Sequence, residues 1–182
     1  GVGCRSIVIS NGGRMVKELE KDKGEHYKLG IGKKNLFIIF TLFKLINFIK
    51  KNKIDIIHAR SRLPAWVCYF ALKLTKKNIR PIFITTVHGP YSVNFYSRIM
   101  TKGDRVIVVS KMIMEYVLKN YKIDKQKIVL NYRGVSKKYF PYNFKATEKW
   151  LKIWQKDFPQ TKNKIILTLP ARITRWKGQD DF

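Results

Sequence analysis

The feature that most constrains this chain is a repeated change of hydrophobic period. Short aliphatic and β-branched runs lie at residues 6–10, 26–31, 54–59, 81–88, 105–109 and 127–131. Longer stretches of helical spacing separate most of them, at 14–21, 36–51, 64–76 and 111–120. A run that is apolar at nearly every position is the signature of a strand covered on both faces. Parallel neighbours need a crossover of roughly a dozen residues or more, which a helix supplies. The expected class is therefore α/β: an open, mainly parallel sheet through Ile7, Ile56, Ile84, Ile107 and Val129, with helices on both faces.

Local signals agree. Asn11-Gly12-Gly13 closes the first run, and Asp22-Lys23-Gly24 ends the first helix. Pro64 suits a first helical turn, and Ser110 is placed to cap the helix after it. In the helix 36–51, a rotation of about 100° per residue puts Ile38, Ile39, Leu42, Leu45, Ile46 and Ile49 on one core-facing side. Thr41, Lys44, Asn47 and Lys51 lie opposite, with Phe37, Phe40 and Phe48 on that same polar side. Aromatics beside lysines suit a bilayer interface; packing under a neighbouring loop is the alternative. The apolar run falls short of the roughly 20 residues that span a bilayer.

The pattern changes after Tyr139. Residues 140–144 read as an irregular connector. A helix over 148–158 carries Trp150 and Trp154 at packing distance, and 164–169 reads as a fresh strand leading into a basic loop that ends at Gly178. The expected organisation is a first domain over 1–139, a connector and helix over 140–163, and the start of a second domain over 164–182.

Composition narrows the function. Hydrophobic residues make up 45% of the 182-residue chain, enough for a packed core rather than a disordered segment. The formal charge is +26, which favours an anionic partner: nucleic acid, anionic lipid or a phosphorylated substrate. The lysines are scattered, and neither zinc-finger spacing nor a ribonucleoprotein aromatic motif is present, so charge alone does not select nucleic acid. Cys4 and Cys68 form no metal or redox pair; both read as buried free thiols in a reducing cytoplasm.

In parallel sheets, ligands sit beyond the carboxyl ends of the strands. That rule selects Gly12 and Gly13, Arg60 to Arg62, His88 to Ser92, Ser110, and the Asn131–Gly134 turn. Gly12-Gly13 before a helix is a weak phosphate cradle, without the full glycine-rich pattern. Arg60 and Arg62 could hold an anionic acceptor. His88, at a strand end before Gly-Pro, can donate or accept a hydrogen bond there. His58 reads as a near-core group and His26 as a surface one. Arg172 and Lys177 could place a guanidinium fork and an ammonium on one diphosphate, with Gly178 easing its approach; a solvated basic turn is the competing reading.

The ordered set Ile54-Asp55-Ile56-Ile57-His58-Ala59-Arg60-Ser61-Arg62, Thr86-Val87-His88-Gly89, Val106-Ile107-Val108-Val109-Ser110, residues 127–135 and Arg172-x-x-x-x-Lys177-Gly178 resembles the family 4 retaining glycosyltransferases of GT-B architecture. Asn131-Tyr132-Arg133-Gly134 departs from the family's commoner Pro-Asn-Gly. The resemblance implies a Rossmann-like first domain of a two-domain enzyme, with the family's usual first strand before residue 1 and its E-x7-E motif after residue 182; such a segment alone would lack activity. It implies transfer of a sugar from a nucleotide-diphosphate donor with retention of configuration. Arg172, Lys177 and Gly178 would bind the donor diphosphate, and His88 would act near the transferred sugar. Gly12, Gly13, Arg60, Arg62 and Ser110 would line an acceptor-side cleft. No metal and no other cofactor is expected, nor a nucleic-acid partner. The acceptor would be a glycan or lipid of cell-envelope (for example lipopolysaccharide) synthesis, at the cytoplasmic face of a membrane contacted through Phe37, Phe40, Phe48 and Lys44. A basic nucleic-acid-binding or membrane-surface module without catalysis is the alternative.

Overall fold

The computed structural model describes residues 3–32, 38–174 and 177–182. The chain forms β1 (Ile7–Ser10), α1 (Val16–Lys21), β2 (Glu25–Lys28), α2 (Ile38–Asn52), β3 (Ile56–Ala59), α3 (Arg62–Leu74), β4 (Ile82–Val87), α4 (Phe95–Arg98), β5 (Arg105–Val108), α5 (Lys111–Asn120), β6 (Ile128–Leu130) and α6 (Glu148–Asp157). It falls into two compact units, Gly1–Arg133 and Gly134–Phe182.

In the first unit β3, β4, β5 and β6 form a four-stranded parallel sheet in that order. Ile56 pairs with Ile82, Thr86 with Ile107, and Ile107 with Val129. β1 and β2 form a separate parallel pair. The single sheet expected through Ile7 is thus two. A strand joins a sheet only through its ladder, and among the described residues β1 is laddered to β2 and not to β3. α2 joins the two sheets instead: Phe48 packs its ring 4.3 Å from that of Tyr27 on β2, and Asn52 accepts from Arg5.

The core follows from strand alternation. Phe83, Val87, Val106 and Val108 point to one side and are buried with Leu45 and Ile49 of α2, Val67 and Cys68 of α3, and Val117 of α5. Burying each large aliphatic side chain contributes about 1.5–3 kcal/mol. On the other side Ile56, Ile82 and Val129 stay exposed. Two polar groups around β4 are paired: Thr85 Oγ1 donates to the Met100 carbonyl at 2.6 Å, and Asp104 accepts from the Phe83 amide at 2.8 Å.

Helix caps match the expected chemistry. Ser110 accepts from the Ile113 amide and Thr147 from that of Trp150. Three local expectations change. Ile38 and Ile39, assigned to the core face of α2, are exposed, because the buried stripe begins only at Leu45. Cys4 is exposed, lying ahead of β1; Cys68 is buried, and burial pushes its thiol up to about 12, leaving it inert. Residues 164–169 form no strand, because among the described residues no neighbour supplies a ladder, and Ile165 and Leu167 are exposed. Within the second unit, Trp150 stacks on Trp154 at 5.3 Å, Trp154 packs on Phe158, and the Trp154 indole donates to Thr161, so the aromatic pair is a packing device.

Gly103 gives a test of this packing. A Cβ there would meet the Arg105 carbonyl at 2.6 Å, Thr85 Oγ1 at 3.0 Å and the Phe83 carbonyl at 3.1 Å. Two of these atoms are backbone and cannot rotate away. Gly103→Ala should cost about 1–3 kcal/mol in denaturant unfolding. Gly32→Ala, where a Cβ meets nothing within 4 Å, should differ from wild type by less than about 0.5 kcal/mol. Equal stability of the two variants would contradict the packing.

Candidate functional site

The parallel ladder β3–β6 brings four turns to one rim, at the carboxyl ends of the strands. His88 follows β4 there. Arg133, from the turn after β6, donates from its guanidinium to His88 Nδ1. Arg60, just after β3, lies close enough for its charge to act on the His88 ring. Since Nδ1 accepts, the proton on the neutral ring belongs to Nε2; this tautomer is assigned from the bonding pattern. His58 on β3 shares a 2.6 Å hydrogen bond with Thr86 on β4. Burial lowers the His88 pKa, and the Arg133, Arg60 and His58 charges push it further down. His58 is lowered by burial and then by Arg60. The rim is a cationic field with neutral imidazoles inside it.

The loop after His88 is held from two helices. Arg62, at the start of α3, places its guanidinium 5.2 Å from the Tyr91 ring centre and 5.1 Å from that of Tyr96. It also donates to Ser97 Oγ at 3.1 Å. Trp66, one turn on, donates to the Tyr96 carbonyl and stacks on Phe95. Tyr116 of α5 donates its hydroxyl to the Tyr91 carbonyl, and Tyr91 Oη accepts from the His88 amide. Arg62 is therefore committed to shaping the loop, and Arg60 is the exposed cation of the Arg60-Ser61-Arg62 triplet.

The remaining expected site residues are dispersed. Gly12 and Gly13 adopt φ of 97° and 145°, backbone that favours glycine. The Gly12 amide is taken by Ser10 Oγ at 3.1 Å, and Ser10 also bonds His26 Nε2 at 2.8 Å, so His26 is half-buried rather than a surface group. Ser110 uses its hydroxyl as a helix cap. His58, expected near the core, lies on the open face of the sheet. In the second unit, Arg172 and Lys177 belong to one turn: the Arg172 carbonyl accepts from Gln179 at 3.0 Å, the Lys177 amide donates to the Thr174 carbonyl at 2.9 Å, and Gly178 has φ of 74°. Arg172 is exposed and Lys177 half-buried. Phe40 and Lys44 are exposed, Phe48 is half-buried against Tyr27, and Phe37 lies outside the described residues.

Arg133 is the residue that sequence reasoning missed. The strand-end rule selects its turn, but its partner is His88, 45 positions away, and no local pattern announces that contact. A cavity of about 430 Å³ lies between β1, β2 and α2, lined by residues that include Arg5, Glu25, Lys44, Phe48, Lys51 and Asn52. There Arg5 is bound by Glu25 at 2.6 and 2.7 Å, so the rim with the perturbed histidines is the better candidate.

Both depressed histidines link pH to stability. Their folded pKa values lie below the ordinary 6.5, so the unfolded chain takes up their protons first as pH falls. Their contribution is fully present above about pH 6.5 and is lost as pH drops through the folded values. The urea midpoint should fall between about pH 7.5 and 5.5, and the double variant His58→Asn/His88→Asn should flatten that slope. A midpoint that rises on acidification would contradict it.

Comparison with known proteins places this geometry. The Glycosyltransferase Family 4 profile matches residues 2–139. The crystal structure of a glycosyltransferase from Rickettsia africae ESF-5 is similar with 38% identity and a TM-score of 0.74, over 97% of this chain and 47% of that one. Anabaena Alr3699/HepE, solved in complex with UDP and glucose, shares the fold at 13% identity and a TM-score of 0.70, over 96% of this chain and 47% of that one. The chain spans about half the length of these two proteins. No curated protein matches. The α/β architecture is that of a Rossmann-like GT-B domain, and the chain belongs to glycosyltransferase family 4.

Proposed function

We propose that this chain serves transfer of a sugar from a nucleoside-diphosphate donor to a glycan or lipid acceptor, with retention of anomeric configuration. The observation that carries the reading is His88: a neutral imidazole at the carboxyl end of β4, bonded by Arg133 and within reach of the Arg60 charge, with Gly89 leaving open space beside it. HepE, which shares the fold, was solved with UDP and glucose, and that supports a nucleoside-diphosphate donor here. Arg172 and Lys177, on one turn of the second unit, are assigned to the donor diphosphate. Negative charge grows on that leaving group as the glycosidic bond breaks, and fixed cations stabilise it without a metal. His88, near the transferred sugar, orients it rather than binding the diphosphate.

Steady-state kinetics of the active transferase that contains this chain tests the assignment. Lys177→Ala should lower kcat as well as kcat/KM, costing on the order of 2–4 kcal/mol of transition-state stabilisation. Arg172→Ala should act in the same sense. His88→Ala should lower turnover far more than it lowers stability. Arg175, in the same loop but outside the described residues, is the control: Arg175→Ala should be nearly silent. Equal small effects at all four positions would make both sites ordinary solvated surface.

A membrane-associated acceptor is the second element of the proposal. Ile38, Ile39, Phe40 and Phe43 are all exposed at the start of α2, beside Lys44. No helix among the described residues is long and apolar enough to cross a membrane. Such a patch suits a helix lying in the interface of an anionic leaflet. Phe40→Ser/Phe43→Ser should reduce co-sedimentation with phosphatidylglycerol vesicles and leave the unfolding midpoint nearly unchanged. Phe48→Ser should instead destabilise the fold through loss of its Tyr27 contact. Unchanged vesicle binding in the double variant would remove the membrane reading.

A further inference from the structure

We infer that Arg60, His88 and Arg133 together form an oxyanion site that takes a phosphate group carried by the acceptor. The inference rests on the acceptor-side reading above and names the chemistry of its ligand.

Three observations converge. First, the ladder places Arg60 after β3, His88 after β4 and Arg133 after β6, so the three come from separate turns on one rim. Second, the charges that act on His88 are those of Arg133, Arg60 and His58, with no carboxylate among them. Arg60 and Arg133 are both exposed. Two guanidinium groups beside one imidazole repel each other, and an anion between them turns that repulsion into paired attraction. Third, the neighbouring Arg62 is not part of this set, because the Tyr91 and Tyr96 rings and Ser97 already hold it.

The donor geometry favours phosphate over carboxylate. Each guanidinium presents a planar fork that matches two oxygens of a tetrahedral oxyanion. Two forks from different turns approach from different directions, which suits a group with three terminal oxygens better than a flat one with two. Arg133 directs one N–H to His88 Nδ1. On binding, that N–H turns to the phosphate, and the freed Nδ1 takes up a proton from solvent and donates it in a hydrogen bond to a phosphate oxygen, the anion offsetting the charge the ring gains. The ring of His88 therefore reports occupancy directly.

The test is binding to this chain itself, followed by the ring nitrogen and carbon-bound proton resonances of His88, assigned with His88→Asn. It needs no transfer activity, so its outcome is separable from that of the sugar-transfer reading. The probes are inorganic phosphate, hexyl phosphate as the acceptor-type monoester, and UDP as the donor-type diphosphate. Inorganic phosphate and hexyl phosphate should both shift the His88 ring. Arg133→Ala should weaken that binding about tenfold, the scale of one charge-assisted hydrogen bond. Arg133→Gln is the second variant should Arg133→Ala unfold, and it should show the same loss. Arg62→Gln should leave the phosphate affinity within about twofold wherever it remains folded, since it perturbs the loop but not the fork pair. Absence of any His88 shift with either phosphate overturns the proposal. So does a shift with UDP alone, which would assign the cluster to the donor, and so does equal affinity in wild type and both Arg133 variants.

Discussion

The parallel hydrogen-bond ladder from β3 to β6 is the constraint on which the site depends. It fixes the register Ile56–Ile82, Thr86–Ile107 and Ile107–Val129, and so sets which turns meet at the carboxyl rim. Buried Val106, Val108 and Val87 anchor that register, since a slip by one residue would turn them to the open face. Arg60, His88 and Arg133 are far apart in sequence and come together only because three strands end at one level.

A second layer of interactions turns this rim into a shaped site. Arg62 between two tyrosine rings, Trp66 against Phe95 and Tyr116 on the Tyr91 carbonyl tie the loop after His88 to α3 and α5. These contacts use cations and aromatics to hold backbone, leaving the Arg60 and Arg133 guanidinium groups exposed at the rim. The division of labour explains why three arginines on one rim are not interchangeable. Arg62→Ala removes packing as well as charge, whereas Arg133→Ala removes chiefly a hydrogen bond to His88.

Much of this was legible in the sequence, for physical reasons. The strand runs at 54–59, 81–88 and 105–109 are dense in aliphatic residues, and those on one face, Phe83, Val87, Val106 and Val108, are buried against the helices; the helix capped by Ser110 starts where its side chain meets the Ile113 amide. The strand-end rule then points to His88 and to the turn that holds Arg133. What escaped were facts created by tertiary contact. Periodicity showed which side of α2 is apolar but not how far its cover reaches, so Ile38 and Ile39 were misassigned. The run 164–169 has strand composition, but composition cannot supply a ladder partner. The four-residue helix Phe95–Arg98 is too short for periodicity, although Asn94, whose side chain accepts from the Ser97 amide, was a readable cap. The Arg133–His88 contact spans two turns and leaves no local trace.

The sugar-transfer role proposed for this chain rests on the carboxyl rim of the four-stranded sheet in the first unit and, separately, on Arg172 and Lys177 of the second. Amide chemical-shift mapping of the chain with UDP-glucose tests it most directly. Shifts should be confined to residues 172–178 and to the rim around His88, Gly89 and Arg133. Shifts centred instead on Arg5, Glu25 and Lys51, at the cavity between β1, β2 and α2, would contradict it.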